Sequence, residues 1–389
     1  MNSKKVRFGI IGIGNMGSAH VHNVRNAARC ELRAVCDRNA AAFDRIDPAI
    51  RTGLRCYNDA GQLFADPEID AVLIAVPHYF HPDLTIAALR DGKHVLVEKP
   101  IAVHKAEALR LIAEAAKYPD LVKALMFNQR TQPAHRKLKE LLGSGELGAI
   151  RRITWIVTDW FRTQSYYDSG DWRASWRGEG GGVLLNQCPH QLELFQWFFG
   201  MPDKVRATVK LGKYHDIEVE DEVNAFLEYA DGKTANFIST TGEAPGVNRL
   251  EIAAERGLLT LEKGQLHLRR NEFEMGEYIR TSPRGFAAPE CWNCEIPIYA
   301  AAPNGHQAVI ENLAAAILEH QPLIAPLAEG VRGLELGNAM LYSGLNDLTV
   351  KMPLDAEAYA AMLCKLVQAS RWRPKNVAAP AAEDFSKSF

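Results

Sequence analysis

The amino-acid sequence predicts an α/β domain built on a parallel sheet, followed by an α+β domain with a large, open, mainly antiparallel sheet. Two observations predict it. Over the first 130 residues, short runs of Val, Ile and Leu without polar alternation are separated by helical periodicity, as expected of parallel strands buried on both faces. Beyond Gly143-Ser-Gly145, strand-like runs follow one another with a single strong helix among them, and turn signals such as Asp231-Gly232 lie between them. At 389 residues the chain exceeds one typical core, and 47% apolar with 24% charged residues is an ordinary globular balance.

Taken in order, the parallel strands are expected at Val6–Ile11, Leu32–Cys36, Ala71–Val76, His94–Val97 and Val122–Phe127. Helical spacing covers Ser18–Ala28, Asp83–Arg90, Lys105–Lys117 and Pro133–Leu142. The second set of strands is expected at Ile150–Asp159, Lys204–Leu211, Val223–Ala230, Thr234–Thr240, Arg249–Ala254 and Leu258–Glu262, with the strong helix at Leu184–Phe199. Gln307–Leu318 and Glu329–Ser343 read as closing helices. The expected division is a first domain at 1–129, a second at 130–373 for substrate binding and oligomerisation, and an Ala/Pro/Ser-rich extended arm at 374–389.

Composition excludes several classes. Forty-five basic against forty-seven acidic residues give a net charge of −2, with no basic arm, so nucleic acid is not an expected partner. No apolar run approaches the roughly 20 residues that span a bilayer, and the polar start Met1–Lys5 offers no signal-peptide core, which points to the cytoplasm and no membrane partner. Seven cysteines argue against a disulfide framework, and Cys291-Trp-Asn-Cys294 lacks the second pair a zinc site needs, so no metal is expected.

Gly12-Ile-Gly14-Asn15-Met16-Gly17 directly follows the first strand and opens a helix. The first glycine permits a tight turn, the second admits a pyrophosphate, the third lets helix and strand pack, and the helix N-terminus faces the phosphates. Asp37 closes the second strand, where a carboxylate accepts ribose hydroxyls. Strand, glycines, helix and acid in register predict a Rossmann dinucleotide-binding domain. Asp37 favours NAD over NADP by repelling a 2′-phosphate, whereas Arg38 beside it can stack on adenine or pair with that phosphate.

Lys93-His-Val-Leu-Val-Glu98-Lys99-Pro100 places a charged pair just beyond a buried strand, where ligands of open parallel sheets bind. Together with Ala75-Val-Pro77-His78-Tyr-Phe-His81, Trp172-Arg173, Gly180-Gly-Gly-Val-Leu-Leu-Asn186-Gln-Cys-Pro-His190 and Gly305-His306, the sequence resembles the glucose–fructose oxidoreductase / inositol dehydrogenase / MocA (Gfo/Idh/MocA) family over nearly its whole length. The resemblance implies a second-domain sheet facing a neighbouring subunit in a homodimer or homotetramer, Lys99 and His190 as the catalytic pair, and substrate held between nicotinamide and the second domain. It further implies cofactor contacts from Pro77, His78, His81, Glu98, Lys99 and Asn128, and substrate contacts from Trp160, Trp172, Arg173, Asn186, His190 and His306.

Removing a hydride from a carbinol carbon requires loss of the hydroxyl proton, which needs a group titrating near neutral pH and a donor for the developing oxyanion. His190 is read as acid/base and Lys99 as the donor, although sequence leaves the two roles exchangeable. The family commonly carries aspartate four residues before the histidine; here the residue is Asn186, which binds only through neutral hydrogen bonds. Pro189 would kink a helix that began before it. Trp155, Trp160, Trp172, Trp176, Phe161, Tyr166 and Tyr167 are interleaved with Arg162, Arg173 and Arg177; about half of these aromatics are expected in the core, the remainder suit a hydroxylated ring with apolar C–H faces, and no basic nest for a phosphate adjoins Asn186. The expected reaction is hydride transfer at a ring hydroxyl of a sugar, glycoside or cyclitol. The alternatives are a glycosidase that retains NAD and oxidises transiently, or a myo-inositol-type dehydrogenase.

Overall fold

The computed structural model describes residues 4–300 and 304–371. Six parallel strands, β1 (Val6–Ile11), β2 (Cys30–Cys36), β3 (Arg55–Tyr57), β4 (Ala71–Ile74), β5 (His94–Val97) and β6 (Lys123–Leu125), form a sheet in the order β3-β2-β1-β4-β5-β6. This is the doubly wound arrangement, with its switch point between β1 and β4, where the loops after the two strands part to opposite faces and leave a crevice. β3 escapes sequence reading because three residues of an edge strand carry no periodicity.

The second sheet has nine strands: β7 (Ile150–Val157), β8 (Lys204–Leu211), β9 (Glu220–Glu228), β10 (Thr234–Thr240), β11 (Asn248–Ala254), β12 (Gly257–Glu262), β13 (Gln265–Asn271), β14 (Cys291–Ile296) and β15 (Val350–Lys351). Their order is β14-β13-β12-β11-β7-β10-β9-β8-β15, antiparallel except between β7 and β10. One face is apolar: Ile153, Trp155 and Val157 of β7 and Phe237 of β10 lie buried beneath the helices Pro189–Phe199 and Gly330–Asn346. Trp155 stacks on Phe195 and Phe237 meets it edge-on, so large aromatic area is buried at this seam. β13 and β14 go unseen in sequence because polar residues outnumber the alternating Leu266 and Leu268. Residues 291 and 294 lie an odd number apart on β14, so the two cysteines point to opposite faces.

Two expectations need correction. The helix expected from Leu184 begins at Pro189, after a series of turns in which the amides of Leu185 and Asn186 both reach the carbonyl of Gly182. Pro189 therefore occupies the first helical position, where its missing N–H costs no bond, and it introduces no kink. The helix Gly305–Glu319 closes the first sheet rather than the second. Val309, Ile310 and Leu313 join one core with Val6, Phe8 and Ile10 of β1 and Val21 and Val24 of the helix Asn15–Asn26. The arm expected at 374–389 lies outside the described residues.

The two halves are locked by buried ion pairs. Arg130, in the turn after β6, donates from Nε to Glu193 Oε1 at 2.7 Å, and its Nη1 reaches the Ile324 carbonyl at 2.9 Å and Glu329 at 2.6 Å. Its guanidinium also lies over Trp197 and Phe127. Burial pushes the Glu193 carboxyl up to about 7 against the pull of Arg130. Lys105 likewise donates to Glu335 at 2.7 Å and to the Leu354 carbonyl. Removing one partner of such a pair strands the other charge, so Arg130→Ala is expected to cost about 3–5 kcal/mol of stability, read from denaturant or thermal melts. A loss below about 1 kcal/mol would show that the pair is not an anchor.

Candidate active site

The nucleotide end is built by steric demand. Gly12 adopts φ +89°, and a Cβ there would sit 2.5 Å from the Ala75 carbonyl oxygen; one on Gly17 would lie 1.7 Å from the Gly12 oxygen. Gly14 has nothing within 4 Å, leaving open space beside its backbone. The helix Asn15–Asn26 starts immediately after, with no side-chain cap and no acid in its first turn, so its N–H groups and dipole face that space. Asp37 accepts from the Ile13 amide at 2.8 Å and from the Asn39 amide at 2.8 Å, which holds its carboxylate beside the glycine loop. Arg38 projects over the exposed ring of Phe80 at 5.2 Å, while Asn15 accepts from Arg45. These residues fit a dinucleotide.

The loop after β4 behaves differently from expectation. His81 is fully buried, with one ring nitrogen 2.7 Å from the Pro100 carbonyl and the other 2.8 Å from that of Val76. It pins the two strand ends together and keeps no nitrogen for a ligand. His78 packs edge-on to His81 and Trp172, and burial together with His81 keeps its ring well below the ordinary titration range. Pro77 opens the short turn His78–Phe80. Trp172 thus supports His78 and, through a 4.6 Å stacking contact, Arg173.

Of the remaining predicted site residues, all but Asn128 and His306 gather around one cavity of about 110 Å³. Asn15 and Met16 line it from the nucleotide loop, Glu98 and Lys99 from the end of β5, Trp160, Arg162, Tyr166 and Arg173 from the aromatic tract, and Asn186, Gln187 and His190 from the turn and helix beyond. Glu98 is buried and gives one oxygen to His20 Nε2 at 2.7 Å and the other to the Lys99 amide at 3.1 Å. Burial alone would raise its carboxyl, but the His20 bond together with the charges of His20, His306 and Lys99 outweighs this and holds it at about 2. Glu98 is therefore a fixed anion that orients Lys99. The Lys99 ammonium donates to the Asn186 backbone carbonyl at 2.8 Å, and burial lowers its pKa, with Glu98 opposing.

His190 stands in the first turn of its helix, 3% exposed, and neither ring nitrogen has a hydrogen-bond partner among the described residues. Burial, then the Lys99 charge, keeps it well below its ordinary value and hence neutral. A neutral imidazole with an open nitrogen beside an ammonium can take a proton from a hydroxyl that the ammonium also contacts. Arg173 donates to the Tyr166 hydroxyl at 2.7 Å and stacks on its ring, Gln187 donates to the same hydroxyl at 3.1 Å, and Arg162 lies over both Trp160 and Tyr166. Trp155, Tyr167 and Trp176 belong to the core.

Trp160 also lines a larger groove, of about 1230 Å³, together with Asn128, Gln191 and His306. The buried Asn128 Oδ1 lacks a hydrogen-bond partner among the described residues, and burial brings His306 down to about 4 as its ring meets His20 edge-on at 5.5 Å. Sequence reading misses His20 and Glu179. Glu179 is buried, accepts from the Asn186 side-chain amide and takes the Ala174 amide at 2.7 Å. Its only local signal is an acid set in a glycine-rich run. Gly182 is required there because a Cβ would lie 2.0 Å from the Glu220 backbone oxygen, while the Glu220 carboxylate receives the amides of Gly182 and Leu184. Among the described residues, no group of three or more His, Cys, Asp or Glu is placed to hold a metal ion, and no helix is long and apolar enough to cross a membrane.

Comparison with known proteins follows the same division. Residues 6–125 match the model of an oxidoreductase family with NAD-binding Rossmann fold, and residues 135–260 match the GFO/IDH/MocA C-terminal domain. An uncharacterised oxidoreductase of Synechocystis is 26% identical over 279 residues, 68% of this chain and 73% of the relative. The inositol 2-dehydrogenase of Rhizobium meliloti is 28% identical over 262 residues, 66% of this chain and 76% of the relative. The WlbA dehydrogenase of Chromobacterium violaceum, solved with NADH and UDP-GlcNAcA, superposes with a TM-score of 0.77 at 26% identity, covering 91% of this chain and 98% of its own. With both halves matched and a dinucleotide cradle facing a Lys–His cavity, the chain belongs to the Gfo/Idh/MocA family of NAD-binding oxidoreductases.

Proposed function

We propose that this protein transfers a hydride between NAD and a ring hydroxyl of a sugar, glycoside or cyclitol. The observation that carries the reading is the cavity in which the unpartnered nitrogens of His190 and the ammonium of Lys99 face the Asn15–Met16 loop. NAD, when bound, is the hydride acceptor. Gly12, Gly14, Asn15, Met16, Gly17, Asp37 and Arg38 would hold it, with Lys99 and Asn128 toward its reactive end. His190 takes the hydroxyl proton, Lys99 hydrogen-bonds the same oxygen as its charge grows, and Asn186, Arg173, Trp160 and His306 orient the ring. The inositol 2-dehydrogenases among the relatives and the sugar-nucleotide complex of WlbA support a polyhydroxylated ring. The small cavity holds little more than the reacting carbinol, so the rest of the substrate would extend past Trp160 into the groove.

The same proposal divides the chain at about residue 130 and places the protein in the cytoplasm as a homo-oligomer. Support for the latter is the uncovered sheet face, where Phe226 is 40% exposed beside half-exposed Ile156 and Ile238.

An absorbance screen at the reduced-nicotinamide band, with NAD and NADP against inositols, free sugars and glycosides, is expected to find a turned-over ring alcohol. His190→Ala should lower kcat/KM about 10²–10⁴-fold and Lys99→Ala about 10²–10³-fold. Undiminished turnover in Lys99→Ala, or nitrophenol release from a glycoside without net nicotinamide reduction, overturns the assignment.

Because burial lowers the His190 value, the imidazole stays neutral as pH falls through 6.5, and charging begins only below it. Alcohol oxidation should therefore persist at pH 6.5, with the acid limb of kcat/KM lower still; a limb above pH 6.5 excludes His190 as base.

Loss of the fixed Asp37 carboxylate removes charged hydrogen bonds to the ribose. Asp37→Ala should weaken NADH binding about 10–100-fold in fluorescence titration, and an unchanged Kd would place the ribose elsewhere.

A further inference from the structure

Glu179 lies in Arg177-Gly-Glu-Gly180, where an acid would ordinarily face water, yet it is 2% exposed. A buried carboxylate persists only with hydrogen bonds and opposing charge. Burial pushes its carboxyl up, and Arg173, the Ala174 amide, the Asn186 side-chain amide and Lys99 pull against that. Asn186 in turn presents its backbone carbonyl to the Lys99 ammonium at 2.8 Å. Glu98, the carboxylate that lines the cavity, is already committed to His20 and the Lys99 amide. A continuous line therefore runs from a buried anion, through one asparagine, to the ammonium at the reacting oxygen.

We propose that Glu179 is a positioning residue for the proton-transfer centre. Its carboxylate clamps the Asn186 side chain and fixes through that residue the carbonyl on which Lys99 rests. The inference rests on the reading of Lys99 and His190 above.

The clamp is testable by swapping carboxylate and amide across it. In Asn186→Asp two carboxylates meet where one hydrogen bond stood, and in Glu179→Gln the anion is gone. In the double variant the introduced glutamine can accept the Ala174 amide through its oxygen and donate its NH₂ to the introduced aspartate. Every group is then satisfied and one negative charge remains. Each single change is expected to lower kcat about tenfold or more, and the double to turn over at least about fivefold faster than the worse single variant, with NADH binding by fluorescence unchanged throughout. Wild-type kcat in either single variant, or a double variant no better than the worse single one, overturns the proposal. Should Glu179→Gln fail to fold, Asn186→Asp and the double still decide it by the same comparison. Lys99→Ala, measured alongside, separates the two layers. If it turns over at the wild-type rate, the site reading fails, whereas an inactive Lys99→Ala without rescue in the double rejects the role of Glu179 alone.

Discussion

The arrangement of this site depends on one buried guanidinium. Arg130 leaves the nucleotide-binding half just after its last strand and ends among Glu193, Glu329 and the Ile324 carbonyl. Glu193 lies one turn along the helix from His190, so the pair determines how the imidazole approaches the crevice at the ends of the parallel strands. A planar group with five donors suits this task, because it can bind a carboxylate and a carbonyl in fixed directions and still stack on Trp197. Desolvating both charges offsets most of their attraction, whereas stranding either one is far worse. Geometry is what the pair contributes.

The electrostatics around the cavity follow a related logic. Four acids, Glu98, Glu179, Glu193 and Glu220, are buried near it, and each is committed to the chain. Glu98 is held ionised by His20, whereas burial pushes Glu220 up to about 7 while backbone amides from the glycine run pull it back. These acids hold Lys99, Asn186 and the 182–184 turn in place. His190 is left uncommitted, and an uncommitted neutral ring is what a proton acceptor requires.

What could be read in sequence was whatever backbone sterics impose locally. Gly12, Gly17 and Gly182 sit where a Cβ collides with backbone, and Asp37 and Lys99 sit at strand ends whose direction the sheet dictates. The groups that act across long separations were hidden: His20 meets Glu98 and Arg130 meets Glu193 only after the chain has folded. His81 shows the opposite failure, since a polar side chain in a motif reads as a ligand contact until both its nitrogens are found on carbonyls. The onset of the 189–199 helix was obscured because Val183, Leu184 and Leu185 are apolar enough to extend the helical pattern, while the tight glycine turn they follow forbids it.

The helix Gly305–Glu319 carries a consequence for how the molecule comes into being. It covers the same apolar face of the first sheet as the Asn15–Asn26 helix, and its His306 touches His20. During synthesis the parallel strands, which end at Leu125, emerge long before the chain reaches Gly305. Until then Phe8, Ile10 and their neighbours present an unfinished surface, the kind of sticky intermediate that cellular folding helpers recognise. In this molecule the apolar face of the nucleotide-binding sheet is completed from the far end of the chain, by a helix that follows the strands of the substrate half up to Ile296.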